Sequence, residues 1–431
     1  MEADIIRRVV ADQREEIGTK LEHEKIIERE FMDDVEELSK TPGLVVLSGV
    51  RRCGKSITSL LLSRADYGYI NFDDPSLEGI GAGDLINVRE AIYSVYGNPS
   101  TIILDEVQNV SGWELFASRL RETKRVIVTG SNESLLSPEL GTRLTGRYVK
   151  FEVMPFSFRE FLEYRGVKAS STGTTEQIAL IKKGLDTYMV AGGFPEAYKF
   201  GERYLLQIYE DIVTRDIERR HNIRYRSTFR ALSKYVLSNS ANRISYNGLK
   251  KSFEINSTHT IKNYIEYMKD AYLIFVVNSY SAKLKEQERS PKKVYCIDNG
   301  FLNVLGFRIV ENKSKLMENL VALELFRRKF YAEPTLEIYH WQDQLQREVD
   351  FVAKKGERTT GLIQVTYDLN EDNEHREIRA LLSASKNTRC KNMTIITWDI
   401  ERKIVRKGKV INCIPLWKWL LKDRRLVAGG P

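Results

Sequence analysis

The run Gly49-Val50-Arg51-Arg52-Cys53-Gly54-Lys55-Ser56 has the spacing G-x-x-x-x-G-K-[ST] and follows the apolar residues Leu44–Leu47. Its chemistry is phosphate binding. The glycines let the backbone wrap so that successive N–H groups converge on an anion. A helix starting near Lys55 points its positive end at the same place. Lys55 is expected to reach the β- and γ-phosphates of a nucleotide, and the Ser56 hydroxyl to ligate Mg²⁺. ATP and Mg²⁺ are therefore the expected ligands of Gly49, Val50, Arg51, Arg52, Cys53, Gly54, Lys55 and Ser56.

A second constellation suits the first. Thr101-Ile102-Ile103-Leu104-Asp105-Glu106 is an apolar strand ending in two carboxylates. Asp105 at the tip of a buried strand can hold the Mg²⁺ shell, and Glu106 can polarise an attacking water. One carboxylate would suit a kinase or a switch; two favour hydrolysis. The spacing from the phosphate loop is read as that of a neighbouring strand. Val126–Thr129 leads into Gly130-Ser131-Asn132, where Asn132 can orient the water. Arg143 and Arg147 lie just before the last expected strand of this region. There an arginine could stabilise transition-state charge on a neighbouring copy's γ-phosphate. A homo-oligomer is the partner that this role implies.

The elements that would position these groups alternate. Apolar runs Leu44–Leu47, Tyr69–Phe72, Thr101–Leu104, Val126–Val128 and Val149–Val153 are separated by helical stretches. That alternation implies an α/β fold with a parallel sheet and helices on both faces. Residues Asp4–Glu37 read as one or two amphipathic helices. Phe156–Arg220 reads as helices broken at Gly192-Gly193-Phe194-Pro195, and Thr228–Ile297 as three short helices and a β-ribbon. A helix over Ser314–Tyr331 is followed by strands near Glu337–Trp341, Glu348–Ala353 and Leu362–Thr366. A helix (Glu374–Ala384), a strand (Met393–Trp398) and a closing helix (Pro415–Lys422) complete the expectation. At 431 residues, 42% hydrophobic and 29% charged, the chain has the composition of a multidomain globular protein. Its longest uncharged apolar run, Ala271–Val277, is far below the ~20 residues of a membrane helix. The acidic start Met1-Glu2-Ala3-Asp4 has no secretory character, so no membrane partner and a cytoplasmic location are expected. Four scattered cysteines and five scattered histidines form no metal-binding spacing.

Charge is distributed unevenly. Arg215–Lys293 holds 17 basic and 7 acidic residues, a balance of +10 within a chain of net charge +8. Such a confined basic region is the footprint expected of nucleic-acid contact; a solvated basic face is the alternative. Within it, Leu249–Phe253, a turn at Glu254–Asn256 and Ser257–Asp270 outline a helix–turn–helix. Ser257 can cap the second helix. Ile261, Tyr264, Ile265 and Met268 fall on one face and are expected in the core. Thr258, His259, Lys262 and Asn263 then face outward, near the end that enters a major groove in such motifs. A basic wing tip over Lys283–Lys293 would bring Lys283, Lys285, Arg289, Lys292 and Lys293 to phosphates.

The sequence resembles AAA+ ATPases, and more narrowly the archaeal and bacterial group that carries a C-terminal restriction-endonuclease-like domain. The resemblance rests on Gly49–Ser56, Leu104-Asp105-Glu106-Val107-Gln108, Thr129-Gly130-Ser131-Asn132, Leu144-Thr145-Gly146-Arg147 and Met154–Phe161. It continues through Gly192-Gly193-Phe194-Pro195-Glu196, Tyr295–Phe301, Glu318-Asn319-Leu320-Val321 and Glu348-Val349-Asp350-Phe351. It implies an ATPase core with an N-terminal helical segment over 1–165, and a helical lid over 166–225. A winged-helix domain over 226–298 and a nuclease-like α/β domain over 299–431 follow. It also implies Arg147 as the finger from its L-x-G-R context; no arginine after Gly193 stands out as the lid's second sensor. Nuclease sites of this kind need a helix carboxylate, a strand Asp and Glu-x-Lys on the next strand. Glu318 and Asp350 match, but Gln364-Val365-Thr366 stands where Glu-x-Lys belongs. Gln364 lacks the charge and Thr366 the ammonium, so weak metal binding and no cleavage are expected. The function implied is an ATP-driven motor or remodelling switch on DNA. The alternative is a signalling or scaffold ATPase whose partner is a protein.

Overall fold

A computed structural model describes residues 1–38, 43–63, 66–132, 148–281, 283–306 and 312–422. The chain divides into two compact units, Met1–Met154 and Pro155–Pro431.

In the first unit, the helices α1 (Ala3–His23) and α2 (Met32–Leu38) precede β1 (Leu44–Ser48), α3 (Lys55–Ser63) and β2 (Tyr67–Asn71). Then come α4 (Leu85–Tyr96), β3 (Thr101–Asp105), α5 (Trp113–Leu120), β4 (Arg125–Gly130) and β5 (Tyr148–Glu152). The strands form one parallel sheet in the order β2-β3-β4-β1-β5. β1 and β3 are buried at every position, the signature of parallel strands covered on both faces. α1 buries Ile6, Val9, Val10, Gln13 and Ile17 at helical spacing and packs on α4 and β2. The expected strands are all present, but the expected adjacency is corrected: β3 does not border β1. β4 lies between them, pairing Leu44 with Val126 on one side and Leu104 with Val128 on the other.

The second unit opens with α6 (Phe158–Tyr164), α7 (Thr175–Ala191), α8 (Ala197–Phe200) and α9 (Glu202–Asp211). A π-helical stretch, Ile212–Arg219, extends α9. α10 (Arg226–Ser238), β6 (Arg243–Ile244), α11 (Tyr246–Ser252), α12 (Thr258–Asp270) and β7 (Ile274–Ser279) follow. Next are α13 (Leu284–Arg289), β8 (Lys292–Cys296), α14 (Asn299–Val304), α15 (Lys313–Tyr331) and the strands β9 (Leu336–Gln342), β10 (Glu348–Lys355) and β11 (Arg358–Val365). α16 (Glu371–Thr388), β12 (Met393–Thr397), β13 (Arg402–Arg406), β14 (Lys409–Pro415) and α17 (Leu416–Leu420) complete it. One nine-stranded mixed sheet runs β13-β14-β12-β11-β10-β9-β7-β8-β6. β7 and β9 share a short parallel ladder, so strands from either side of residue 298 belong to one sheet. Ile261, Tyr264, Ile265 and Met268 are buried as their spacing requires, and the Ser257 hydroxyl accepts the His259 N–H. The stretch read as a wing tip contains the helix α13 instead. Leu284-Lys285-Glu286-Gln287 are good helix formers, and Ser281 organises the entry by accepting the Lys283 N–H and donating to Glu286.

Asp298 closes a tight junction in this unit. Its carboxylate accepts the Gly193 N–H at 2.6 Å and the Gly300 N–H at 2.8 Å. Gly192 has φ +76°, and a Cβ there would lie 1.7 Å from Asp298 Oδ1, so the position requires glycine. Burial pushes Asp298 up to about 7, against the pull of the two amides and Arg327. The folded chain thus holds this proton more tightly than the unfolded chain. Its contribution to stability is greatest below pH ~4 and falls by up to about 4 kcal/mol as pH rises to about 7. Asp298→Asn should flatten that dependence. Urea unfolding of both proteins at pH steps from 4 to 8 measures it; parallel curves would refute the assignment.

Candidate nucleotide-binding site

The loop Gly49–Gly54 joins β1 to α3 at the C-terminal edge of the first sheet. Gly49 is required by contact, since a Cβ would lie 2.1 Å from the Val153 carbonyl oxygen. Gly54 has φ +98° and Arg52 φ +65°, which turn the loop before the helix begins. Val50 and Cys53 are buried, and the Cys53 thiol faces the Val153 carbonyl at 3.0 Å. Arg51 pairs with Asp73 at 3.0 Å. From outside the motif, Arg29 donates to the Cys53 carbonyl at 3.0 Å and the Met154 carbonyl at 2.6 Å, tying the loop to the end of β5.

Lys55 is buried and donates to the carbonyls of Gly49 and Val50, each at 3.2 Å. Its ammonium lies 3.4 Å from Glu106 Oε1. Burial works against that charge, but Glu106, Cys53 and Asp105 outweigh it and hold Lys55 above its ordinary value. Asp105 ends β3 fully buried; it accepts Tyr69 OH at 2.5 Å and the Thr129 hydroxyl, and it bonds Ser56. Burial and the adjoining Glu106 charge push it up. Glu106 follows with φ +52°, its N–H donating to Thr129 Oγ1 at 3.1 Å. Burial opposes its ionisation, yet Lys55 and Arg51 hold it below the usual carboxylate range. Gln108 Nε2 donates to Glu106 and, at 3.3 Å, to Ser131 Oγ. Asn132 is buried just beyond the tip of β4.

The structure therefore brings together Lys55, Ser56, Asp105 and Glu106, with the tip of β4 between the two motif strands. Arg143 and Arg147 lie outside the described residues. Sequence reasoning gave no role to Arg29, Tyr69, Gln108 or Thr129. Gln108 and Thr129 stood inside noted motifs; Arg29 and Tyr69 carried no local signal.

Ser56 and Asp105 present a hydroxyl and a carboxylate side by side, an oxygen donor pair of the kind Mg²⁺ prefers. The residues fit the ion, which would offset the phosphate charge. Glu106, the next residue, is held below the usual carboxylate range by Lys55 and Arg51, so it is charged as activation of a water requires.

In the second unit, His259, Lys262, Lys283, Lys285 and Arg289 are exposed, and Thr258 and Asn263 half-buried. The expectation that Lys292 and Lys293 reach phosphates is corrected. β8 is buried at all five positions; Lys292 donates to Asn278 Oδ1 at 2.8 Å. Lys293, 1% exposed, lies among Glu318, Glu348 and Asp350. Of the positions read as a degenerate nuclease site, Glu318 and Asp350 both reach Lys293, and Gln364 meets Asp350. Asp350 accepts the Val365 N–H at 2.9 Å, and Gln364 Oε1 accepts the Asp350 N–H at 3.2 Å. Thr366 turns away to the Asp368 carbonyl.

No helix among the described residues is long and apolar enough to cross a membrane. A family model described as an AAA domain matches residues 41–162, and two domains of unknown function match 182–313 and 313–419. An uncharacterized protein of Methanocaldococcus jannaschii is 35% identical over 418 residues, 92% of this chain and 91% of its own. One of Haemophilus influenzae is 28% identical over 80% of this chain and 88% of its own. A solved Aeropyrum pernix Orc1 protein in complex with DNA is similar at TM-score 0.32 and 14% identity, over 67% of this chain and 94% of that one. With an AAA domain matched over residues 41–162 and 35% identity along nearly its whole length, the chain carries an AAA domain and belongs to the same family as the uncharacterized Methanocaldococcus jannaschii protein.

Proposed function

We propose that the chain is a Mg²⁺-dependent ATP hydrolase whose turnover serves a DNA-associated motor or remodelling switch. The observation that carries hydrolysis is the pairing of Lys55 with Glu106 at 3.4 Å, directly beside Asp105. Triphosphate entering the loop offers Lys55 a better acceptor than the Gly49 and Val50 carbonyls. As Lys55 turns to it, Glu106 is left with Gln108 and is available to a water. Ser56 and Asp105 would hold Mg²⁺, which would neutralise charge on the phosphates. Arg51 keeps the loop's outer turn fixed to Asp73.

The DNA part is supported by the order α10, β6, α11, α12, β7, α13, β8, a helix–turn–helix followed by a strand pair with a helix inserted between its strands, and by the exposed Lys262 on α12 and the exposed Lys285 and Arg289 on α13. The deciding experiment is the ATPase rate without DNA and with duplex, single-stranded or branched DNA. Stimulation by one form supports the reading; steady turnover with no DNA binding would replace it with the protein-partner one.

Binding itself should weaken steeply with salt. Lys262→Ala should lower the slope of log affinity against log salt by about 1, uniformly across sequences. Fluorescence anisotropy from low to high salt reads it. An unchanged slope would remove α12 from the interface.

A further inference from the structure

The resemblance to restriction endonucleases implies a divalent metal at Glu318 and Asp350, but the residues present do not fit one. The Lys293 ammonium lies 2.7 Å from Glu318 Oε1, 2.6 Å from Glu348 Oε1 and 2.9 Å from Asp350 Oδ1. An ammonium has three donors, and each meets a carboxylate. We propose that Lys293 is the resident cation of this carboxylate site, reaching from β8 into the place a metal would take and closing the site to metal.

The cluster's oxygens have further partners. Glu318 Oε2 takes Lys315 at 3.0 Å, and Glu318 Oε1 takes Tyr295 OH at 3.0 Å. Glu348 Oε2 faces Arg243 at 3.7 Å, and Asp350 Oδ2 accepts the Val365 N–H. Three carboxylates thus face three cations, Lys293, Lys315 and Arg243, and formal charge is balanced within the cluster. A divalent ion added to a balanced cluster must expel a side chain that is 1% exposed. The oxygens surround a position at ammonium distances, wider than the ~2.0–2.1 Å that Mg²⁺ demands. Among the described residues, no three His, Cys, Asp or Glu side chains converge as a metal would need.

The arrangement also says what the site does. Lys293 belongs to β8, which lies between β7 and β6 in the sheet, Glu318 to α15, and Glu348 and Asp350 to β10. The cluster therefore fastens β8 to the helix and strand that a nuclease would use for chemistry. This reading is independent of the ATPase proposal.

The test is calorimetric titration of the full chain with CaCl₂ and MnCl₂, in an Asp105→Asn background that removes the other carboxylate expected to hold a metal. With Lys293 in place, no stoichiometric uptake is expected, and a supercoiled plasmid stays intact. Lys293→Met should lower the unfolding midpoint by about 10 °C, since buried Glu318 and Asp350 and half-buried Glu348 lose their shared partner. It should then take up one Ca²⁺ or Mn²⁺ per chain and recover part of that loss. If Lys293→Met folds only with the cation supplied, that is the same result read by refolding yield. Stoichiometric uptake with Lys293 present, abolished by Asp350→Asn, would overturn the proposal. So would a folded Lys293→Met chain that ignores both cations.

Discussion

Glu106→Gln should bind ATP as the wild-type chain does and hydrolyse it about 10³-fold more slowly. The side chain keeps its length and its place at the tip of β3, and Gln108, itself bonded to Ser131, still borders it. What it loses is the ionised oxygen that draws a proton from water. Lys55, Arg51 and the Gln108 amide hold Glu106 below the usual carboxylate range, and the last two remain when Lys55 turns to the triphosphate, so the wild-type base is ionised across neutral pH. Turnover should therefore show no loss of this base between pH 6 and 8. Lys55→Ala separates the two roles. It removes a buried ammonium whose partner becomes the triphosphate, so ATP affinity should fall by about 10²-fold. Calorimetry for binding and phosphate release for turnover give the two readouts. Normal turnover by Glu106→Gln would mean that the water is activated elsewhere; wild-type affinity in Lys55→Ala would remove Gly49–Ser56 as the site.

The first unit was legible because its signals are local. Buried parallel strands read as continuous apolar runs, and a phosphate loop is eight consecutive residues whose chemistry depends on neighbours in the chain. The order of the strands is not local. Nothing between Ser48 and Asp105 states that β4, which arrives later, will separate them. The same limit hid Lys293. Lys292-Lys293 reads as a basic surface until β10 supplies Glu348 and Asp350 more than fifty residues further on. A local count of charge then assigns to solvent two lysines that lie inside. The hairpin of β13 and β14 escaped for another reason. Arg402–Arg406 exposes four of its five residues, and that much charge masks the alternation of an edge strand. Asp298 and Gly192 stood in noted motifs, but only their contact explains why one must be glycine.

Arg29 shows what such a hidden residue can carry. It lies between α1 and α2, in a stretch whose pattern spoke only of amphipathic helices. Its guanidinium is buried, stands 5.5 Å from the Phe31 ring, and spans the carbonyls of Cys53 and Met154. Those carbonyls belong to the phosphate loop and to the residues just past β5, so one side chain sets the spacing between them. Arg29→Ala withdraws two charge-assisted hydrogen bonds from buried acceptors and leaves a void beside the ring. A destabilisation of about 3 kcal/mol follows, or about 10 °C in the unfolding midpoint of this unit. Because the Cys53 carbonyl directly precedes Gly54 and Lys55, ATP affinity should fall with it, by about tenfold. Arg29→Lys distinguishes placement from charge. An ammonium is a point donor and cannot bridge two diverging carbonyls as a planar fork does. It should regain part of the stability and little of the affinity. Scanning calorimetry and nucleotide titration of the three proteins measure both. If Arg29→Lys restores affinity fully, charge near the loop is what matters and the bridge is incidental; if Arg29→Ala matches wild type in both, the loop is held by its own backbone.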